Sequence, residues 1–226
     1  LYTVEALGEG LQHLAPGGLL AITRWVDLPP RDILKLFATA VVALERNGGE
    51  PAQQLALIRG WKTATLLVKN GPLSAADVAA LREFCRARSF DVAYFPGIEA
   101  AETNRYNVLD HADFYAGALA LLGPDREAFS ERYKFSITPA TDDRPYFFHH
   151  FKWRTLPELL ALKERGGLPL LEWGYPVLIA TLAQAFAASV LLILLPLGVV
   201  AQRTQEGAAP AISALRVAAY FLAIGF

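Results

Sequence analysis

LALIRGWKTATLLVKN, residues 55–70, decides the fold. Its halves, LALIRGW (55–61) and ATLLVKN (64–70), read as strands, and the short connection between them predicts an antiparallel hairpin. On the N-terminal side, Val4, Leu7, Leu11 and Leu14 recur at helical spacing, and Pro16-Gly17-Gly18 stop that helix. LLAITRW (19–25) is a short apolar strand. Pro29-Pro30 then lead into a helix to about Asn47, with Ile33, Leu34, Phe37, Val41 and Leu44 on one face and Gly48 just past its cap. On the C-terminal side, Ser74 and Asp77 form a capping box for a helix over 75–88. DVAYFPG (91–97) is a strand ended by Pro96-Gly97. Residues 98–112 form a polar, irregular loop of a length often tied to function or motion. Short helices are expected near 113–122, 125–132 and 157–165. Between the last two lies SITPATDDRPYFFHHFKW (136–153), rich in aromatics and turn formers. Helices alternating with short apolar strands predict an α/β sheet covered by helices, parallel and finishing in the antiparallel hairpin.

Further on, YPVLIATLAQAFAASVLLILLPLGVVA (175–201) sits in a run from Trp173 to Gln202 that carries no charge. A spanning helix needs roughly 20 apolar residues at about 1.5 Å each, so 175–201 is expected to cross a bilayer. Trp173 and Tyr175 stand where an aromatic belt would lie, and Pro196 is placed to kink the end. A polar turn over 202–216 precedes what reads as a second, truncated span at 217–226. Lys163 and Arg165 flank one side and Arg203 and Arg216 the other, so positive charge leaves the orientation open. The 226-residue chain starts at Leu1 without Met and stops in an apolar run, and so reads as an excerpt of a longer protein; its N-terminus carries no signal peptide. A net charge of −1 gives no basic excess for nucleic acid. The single Cys85 excludes an intrachain disulfide framework and a cysteine zinc cage, and lies on the apolar side of its helix as an inert core residue.

The chain has no P-loop, GxSxG, HExxH or CxxC. The pairs Gly17-Gly18, Gly48-Gly49 and Gly166-Gly167 read as punctuation at helix ends. The densest constellation is Thr141-Asp142-Asp143-Arg144-Pro145-Tyr146. Adjacent carboxylates suit a cation or amine, and Arg144 can neutralise one of them or meet an anionic substrate. The competing reading makes Asp142 a turn cap, Arg144 an ion-pair partner and the aromatics packing groups. His149-His150 point to opposite faces of an extended segment and lack a third ligand at useful spacing, so no metal site is expected. Trp25 and Asp27 lie beyond the carboxyl end of strand 19–25. Ligands gather there if that strand is parallel; otherwise the two are surface loop residues.

LYTVEALGEGLQHLAPGGLLAITRW, through Leu1, Tyr2, Glu5, Leu14, Pro16, Gly17 and Gly18, resembles the second half of a class I S-adenosylmethionine-dependent methyltransferase fold, and more narrowly its spermidine synthase branch. The hairpin at 55–70 matches the antiparallel last two strands of that fold. YKFSITPATDDRPYFF (133–148), followed by hydrophobic spans, resembles multi-span bacterial membrane proteins that carry a spermidine synthase-like domain. The resemblance implies the C-terminal half of a Rossmann-like transferase domain at 1–135, a TDDRPYFF segment and juxtamembrane linker at 136–170, and a transmembrane region at 171–226. It implies S-adenosylmethionine or decarboxylated S-adenosylmethionine as cofactor, with the binding loop upstream of residue 1, and a small-molecule acceptor. It also implies a bacterial inner-membrane location with the soluble domain in the cytoplasm. Asp142, Asp143, Arg144, Trp25 and Asp27 are the acceptor-side candidates; the alternative is a transporter or scaffold with a degenerate domain. Where spermidine synthases place a Gln-containing amine-site segment, this chain has Thr23-Arg24-Trp25, and Arg24 would repel a polyamine if it faced the site.

Overall fold

The computed structural model describes residues 2–155, 157 and 174–195, apart from the side chains of 175, 176 and 194. The chain divides into two compact units, Leu1–Gly167 and Leu168–Phe226.

The first unit is α/β. Its elements are α1 (Val4–Gln12), β1 (Leu19–Trp25), α2 (Asp32–Arg46), the single turn α3 (Pro51–Gln54), β2 (Leu55–Arg59), β3 (Thr63–Lys69), α4 (Ala75–Arg88), β4 (Asp91–Tyr94), α5 (Asp113–Leu122) and α6 (Arg126–Arg132). Local chemistry sets the boundaries. The Thr3 hydroxyl accepts the Ala6 N–H and opens α1. Ser74 and Asp77 cap α4 reciprocally, as the sequence predicts. After α2, Gly48 takes φ +73° and its N–H closes on the Glu45 carbonyl, the left-handed C-terminal cap foreseen at that position.

The sheet corrects the expectation of parallel strands. Its order is β1-β3-β2-β4, and every bonded pair is antiparallel, Leu19 opposite Lys69 through Trp25 opposite Thr63 on one side of β3 and Leu55 opposite Val68 on the other. The α2 connection does carry the chain back so that β1 and β2 run the same way. The hairpin then folds β3 into the gap between them, so no two parallel strands touch. β2, at the centre, is buried on both faces. α1, α2 and α5 form one core with Leu20 and Ile22 of β1 and with Ala64, Leu66 and Val68. α4 covers part of the other face, over Ala56, Ile58, Val92 and Phe95. Cys85 is buried there, and burial pushes its thiol up to about 11. β1 lies beyond that cover. Its residues Leu19, Ala21, Thr23 and Trp25 alternate as exposed positions, and its outer edge pairs with nothing among the described residues.

In the second unit, α7 (Gly174–Ser189) has 16 residues and passes into a π-helical turn, Val190–Leu194. At about 1.5 Å per residue α7 reaches about 24 Å, short of a hydrocarbon core of about 30 Å. Among the described residues no helix is long and apolar enough to cross a membrane, so the span expected over 175–201 is not supported; its residues 196–201 lie outside the described residues. Residues 158–165 of the helix expected at 157–165, the polar turn at 202–216 and the second span at 217–226 lie outside the described residues.

Candidate functional site

The carboxyl end of β1 opens into a concavity of about 310 Å³ lined by Trp25, Val26, Leu28, Trp61, Lys62 and Leu109. Three backbone devices place these groups. β1 ends at Trp25, with the Val26 N–H bonded to the Lys62 carbonyl. The β2–β3 hairpin closes through the Gly60 N–H on the Thr63 carbonyl at 2.8 Å, which leaves Trp61 and Lys62 at its tip. Both indoles stand out from the surface, Trp25 at 64% exposure and Trp61 at 68%. The Lys62 ammonium has no carboxylate partner among the described residues.

The rear wall, Leu109, is held by Asn104. The Asn104 amide accepts the Leu109 N–H at 2.8 Å and donates to the Leu109 carbonyl at 2.7 Å, with Asn104 itself at φ +55°. Asn104 is fixed in turn by Arg59, whose guanidinium donates to its side-chain oxygen at 3.0 Å and to the Asn107 carbonyl at 2.7 Å. Arg59 also pairs with Asp91 at 3.3 Å, and both side chains are buried. The Asp91 carboxylate accepts the backbone N–H groups of Arg105, Tyr106 and Asn107. Burial pushes that carboxyl upward, but these donors outweigh it and hold it below the usual range. Burial lowers the Arg59 pKa despite Asp91. The irregular loop is thus pinned to β2 and β4 by one buried ion pair. Sequence reasoning missed this; the signal available was a charge inside each of two apolar strands, LALIRG and DVAYF.

A second polar cluster sits under α2. Arg24 donates to Asp32 at 2.6 Å, and His150 Nε2 lies 3.0 Å from the other Asp32 oxygen. His150 Nδ1 lies 3.0 Å from the Ser136 carbonyl, and the ring is 1% exposed. Burial raises the Asp32 pKa, but hydrogen bonds from His150 and Arg24 overcome it and bring the group to about 2. Lys35, also buried, donates to the carbonyls of Tyr146 and His149. The Arg24 guanidinium carbon stands 4.8 Å from the Phe148 ring centre and 5.4 Å from that of Tyr2. This cluster ties the TDDRPYFFHH segment to the domain. His150 is therefore a buried link between this segment and α2. The polar residues Asp32, Lys35 and Thr39 within an otherwise apolar helix were the readable hint.

The candidate residues divide accordingly. Trp25 lines the concavity. Asp27 pairs with Arg31 at 3.5 Å. Asp142, Asp143 and Arg144 form an exposed turn, closed by the Arg144 N–H on the Thr141 carbonyl, and the Asp142 N–H bonds to Glu5. Their side chains have no polar partner among the described residues, so Arg144 does not make the ion pair that the packing reading expected. Phe147 is buried, while Tyr146 and Phe148 are 72% and 55% exposed. Arg24 faces Asp32 and α2, turned away from the concavity.

A larger hollow, about 830 Å³, lies between α2, α6 and residues 151–154. Its cations are already engaged: Arg126 with Glu45, Lys152 with the carbonyls of Ser130, Glu131 and Tyr133, and Arg154 with the Tyr133 carbonyl. The smaller concavity, with a free ammonium and two free indoles, is the better candidate site. Compared with family models, characterised proteins and solved structures, the chain matches none.

Proposed function

We propose that this chain is part of a membrane-attached S-adenosylmethionine-type transferase. Its first unit would be the acceptor half of a spermidine synthase-like domain, and the cofactor would bind to a half upstream of Leu1. One observation carries the attachment. α7 and its π turn are uncharged and apolar on every side, and they are exposed on every side, Leu178 at 61%, Leu182 at 67%, Phe186 at 66% and Leu192 at 76%. A helix apolar all round requires cover, and a bilayer supplies it. For the transferase reading, the support is helices on both faces of the sheet, an antiparallel hairpin that sets β3 between β1 and β2, and an unpaired outer edge of β1 on which an upstream half could extend the sheet. This chain would bind and orient an acceptor nucleophile at the end of β1 for attack on an activated sulfonium carbon. The acceptor loses a proton, and the carbon–sulfur electron pair leaves with sulfur. Because Arg24 is engaged by Asp32, it does not oppose a cationic acceptor there.

A second reading, a non-catalytic ligand-sensing domain on a transporter or scaffold, is favoured by the lining itself. Among the described residues around the concavity there is no carboxylate to serve as base. Equilibrium dialysis of the full-length protein against labelled S-adenosylmethionine separates the two. Binding supports the transferase; none at millimolar ligand leaves the sensor. Alkaline carbonate extraction tests attachment separately, and release into the supernatant would end it.

A further inference from the structure

We propose that the concavity at the end of β1 accepts a small amphipathic anion, an apolar body carrying one carboxylate or phosphate, and rejects a polyamine. This rests on the reading of that end of the sheet as the acceptor side and names the class of compound the site takes. Apolar groups form most of the surface. Trp25 and Leu28 stand on one side, Trp61 on the hairpin tip, and Leu109 behind. Among the described lining residues the only charged one is Lys62, whose ammonium has no partner among the described residues. Two carboxylates adjoin the lining in sequence: Asp27 is occupied by Arg31, and Asp110, exposed beside Leu109, is not among the lining groups. The acidic pair Asp142 and Asp143 is on a turn held against Glu5, which itself pairs with Arg46. A polyamine would meet an ammonium here and find no carboxylate. An anion would gain a charge-assisted hydrogen bond while its apolar body covers the indoles.

The site is also preset. Asn104 bonds both polar groups of the Leu109 backbone, and the buried Arg59–Asp91 pair holds Asn104. The back wall therefore needs no ordering on binding, and preorganisation of this kind favours affinity. Trp61 and Lys62 stand exposed on a two-residue tip.

The test is isothermal titration of the 226-residue chain in neutral-lipid nanodiscs, with empty discs as blank. The probes are 2-naphthoate, its neutral counterpart 2-naphthylmethanol, and spermidine. We expect one equivalent of 2-naphthoate to bind. Affinity should fall about tenfold or more in Lys62→Gln and in Trp61→Ala, and by a similar factor for 2-naphthylmethanol on the unaltered protein. Spermidine should give no heat. Both substitutions are at exposed tip positions, and unchanged far-ultraviolet circular dichroism confirms that each variant folds. The proposal is overturned by spermidine binding that Trp61→Ala removes, by no naphthoate binding, or by naphthoate binding indifferent to both substitutions. Quenching of Trp25 and Trp61 by acyl-brominated lipid, in a Trp153→Phe, Trp173→Phe background, would also overturn it, because the surface would then belong to the membrane. Anion binding in a protein that binds no S-adenosylmethionine sinks the transferase reading alone. The opposite result sinks this inference alone.

Discussion

Asp32→Asn probes the cluster that fastens the TDDRPYFFHH segment to α2. In the folded protein the Asp32 carboxyl falls from 3.8 to about 2, held there by Arg24 and His150 against the opposing effect of burial. At about 1.4 kcal/mol per tenfold change in proton affinity, that depression is worth about 2 kcal/mol. The sign follows from the direction. A carboxyl with a lowered folded-state pKa stabilises the fold above its unfolded value, and the contribution fades as pH falls from about 4 towards 2. At pH 6 the variant loses this ionic contribution and leaves Arg24 without its counter-charge, a loss of about 3–5 kcal/mol for a buried pair broken on one side. Near pH 2 the wild-type carboxyl is itself being protonated, so the gap between the two proteins should narrow by about 2 kcal/mol. Urea unfolding of both proteins in non-ionic detergent, followed by tryptophan fluorescence at pH 6, 4, 3 and 2, measures it. Asp77 and Asp91 are also depressed, but they titrate alike in both proteins and cancel in the difference. A gap constant to within about 0.5 kcal/mol over that range would refute the assignment of Asp32 as the ionised centre of the cluster.

Two further outcomes follow from packing and register. A Cβ placed on Gly117 would lie 2.6 Å from Leu34 Cδ1, so Gly117→Ala should lose about 1–3 kcal/mol despite the helix-propensity gain; the loss it causes should shrink when measured in a Leu34→Ala background, and equal stability of Gly117→Ala and wild type in urea melts would contradict the close α2–α5 approach. In β1, the register puts the N–H groups of Leu20, Ile22, Arg24 and Val26 towards β3 and those of Leu19, Ala21, Thr23 and Trp25 towards the open edge. Hydrogen exchange resolved by residue should therefore alternate along the strand in the 226-residue chain, fast at odd positions, and uniform protection would mean that something pairs with that edge.

The elements of the first unit were legible because each is specified locally. Period-3.6 apolar spacing marks α1 and α2, the Ser74–Asp77 box starts α4, Gly48 ends α2, and the hairpin at 55–70 follows from two apolar runs with no room for a crossover. The candidate site was legible only at Trp25. Its other walls, Trp61 and Leu109, come from segments 36 and 84 residues further along the chain, and nothing in their neighbours announces that they meet. The role of His150 was hidden for the same reason, since Asp32 is 118 residues away and Ser136 reaches it through a backbone carbonyl.

The sequence by itself determined an α/β unit followed by an apolar, uncharged helix, because propensity, capping and hydrophobic periodicity act over a few residues. Only the tertiary structure decided that β3 lies between β1 and β2, that Arg24 turns to Asp32 instead of the concavity, and that Asp142 and Asp143 remain on an outer turn while Lys62 keeps a free charge beside two indoles. Those outcomes depend on which strand edges pair and which buried charges find partners. Both are settled by chain closure over long separations, where no local pattern of residue types distinguishes one partner from another.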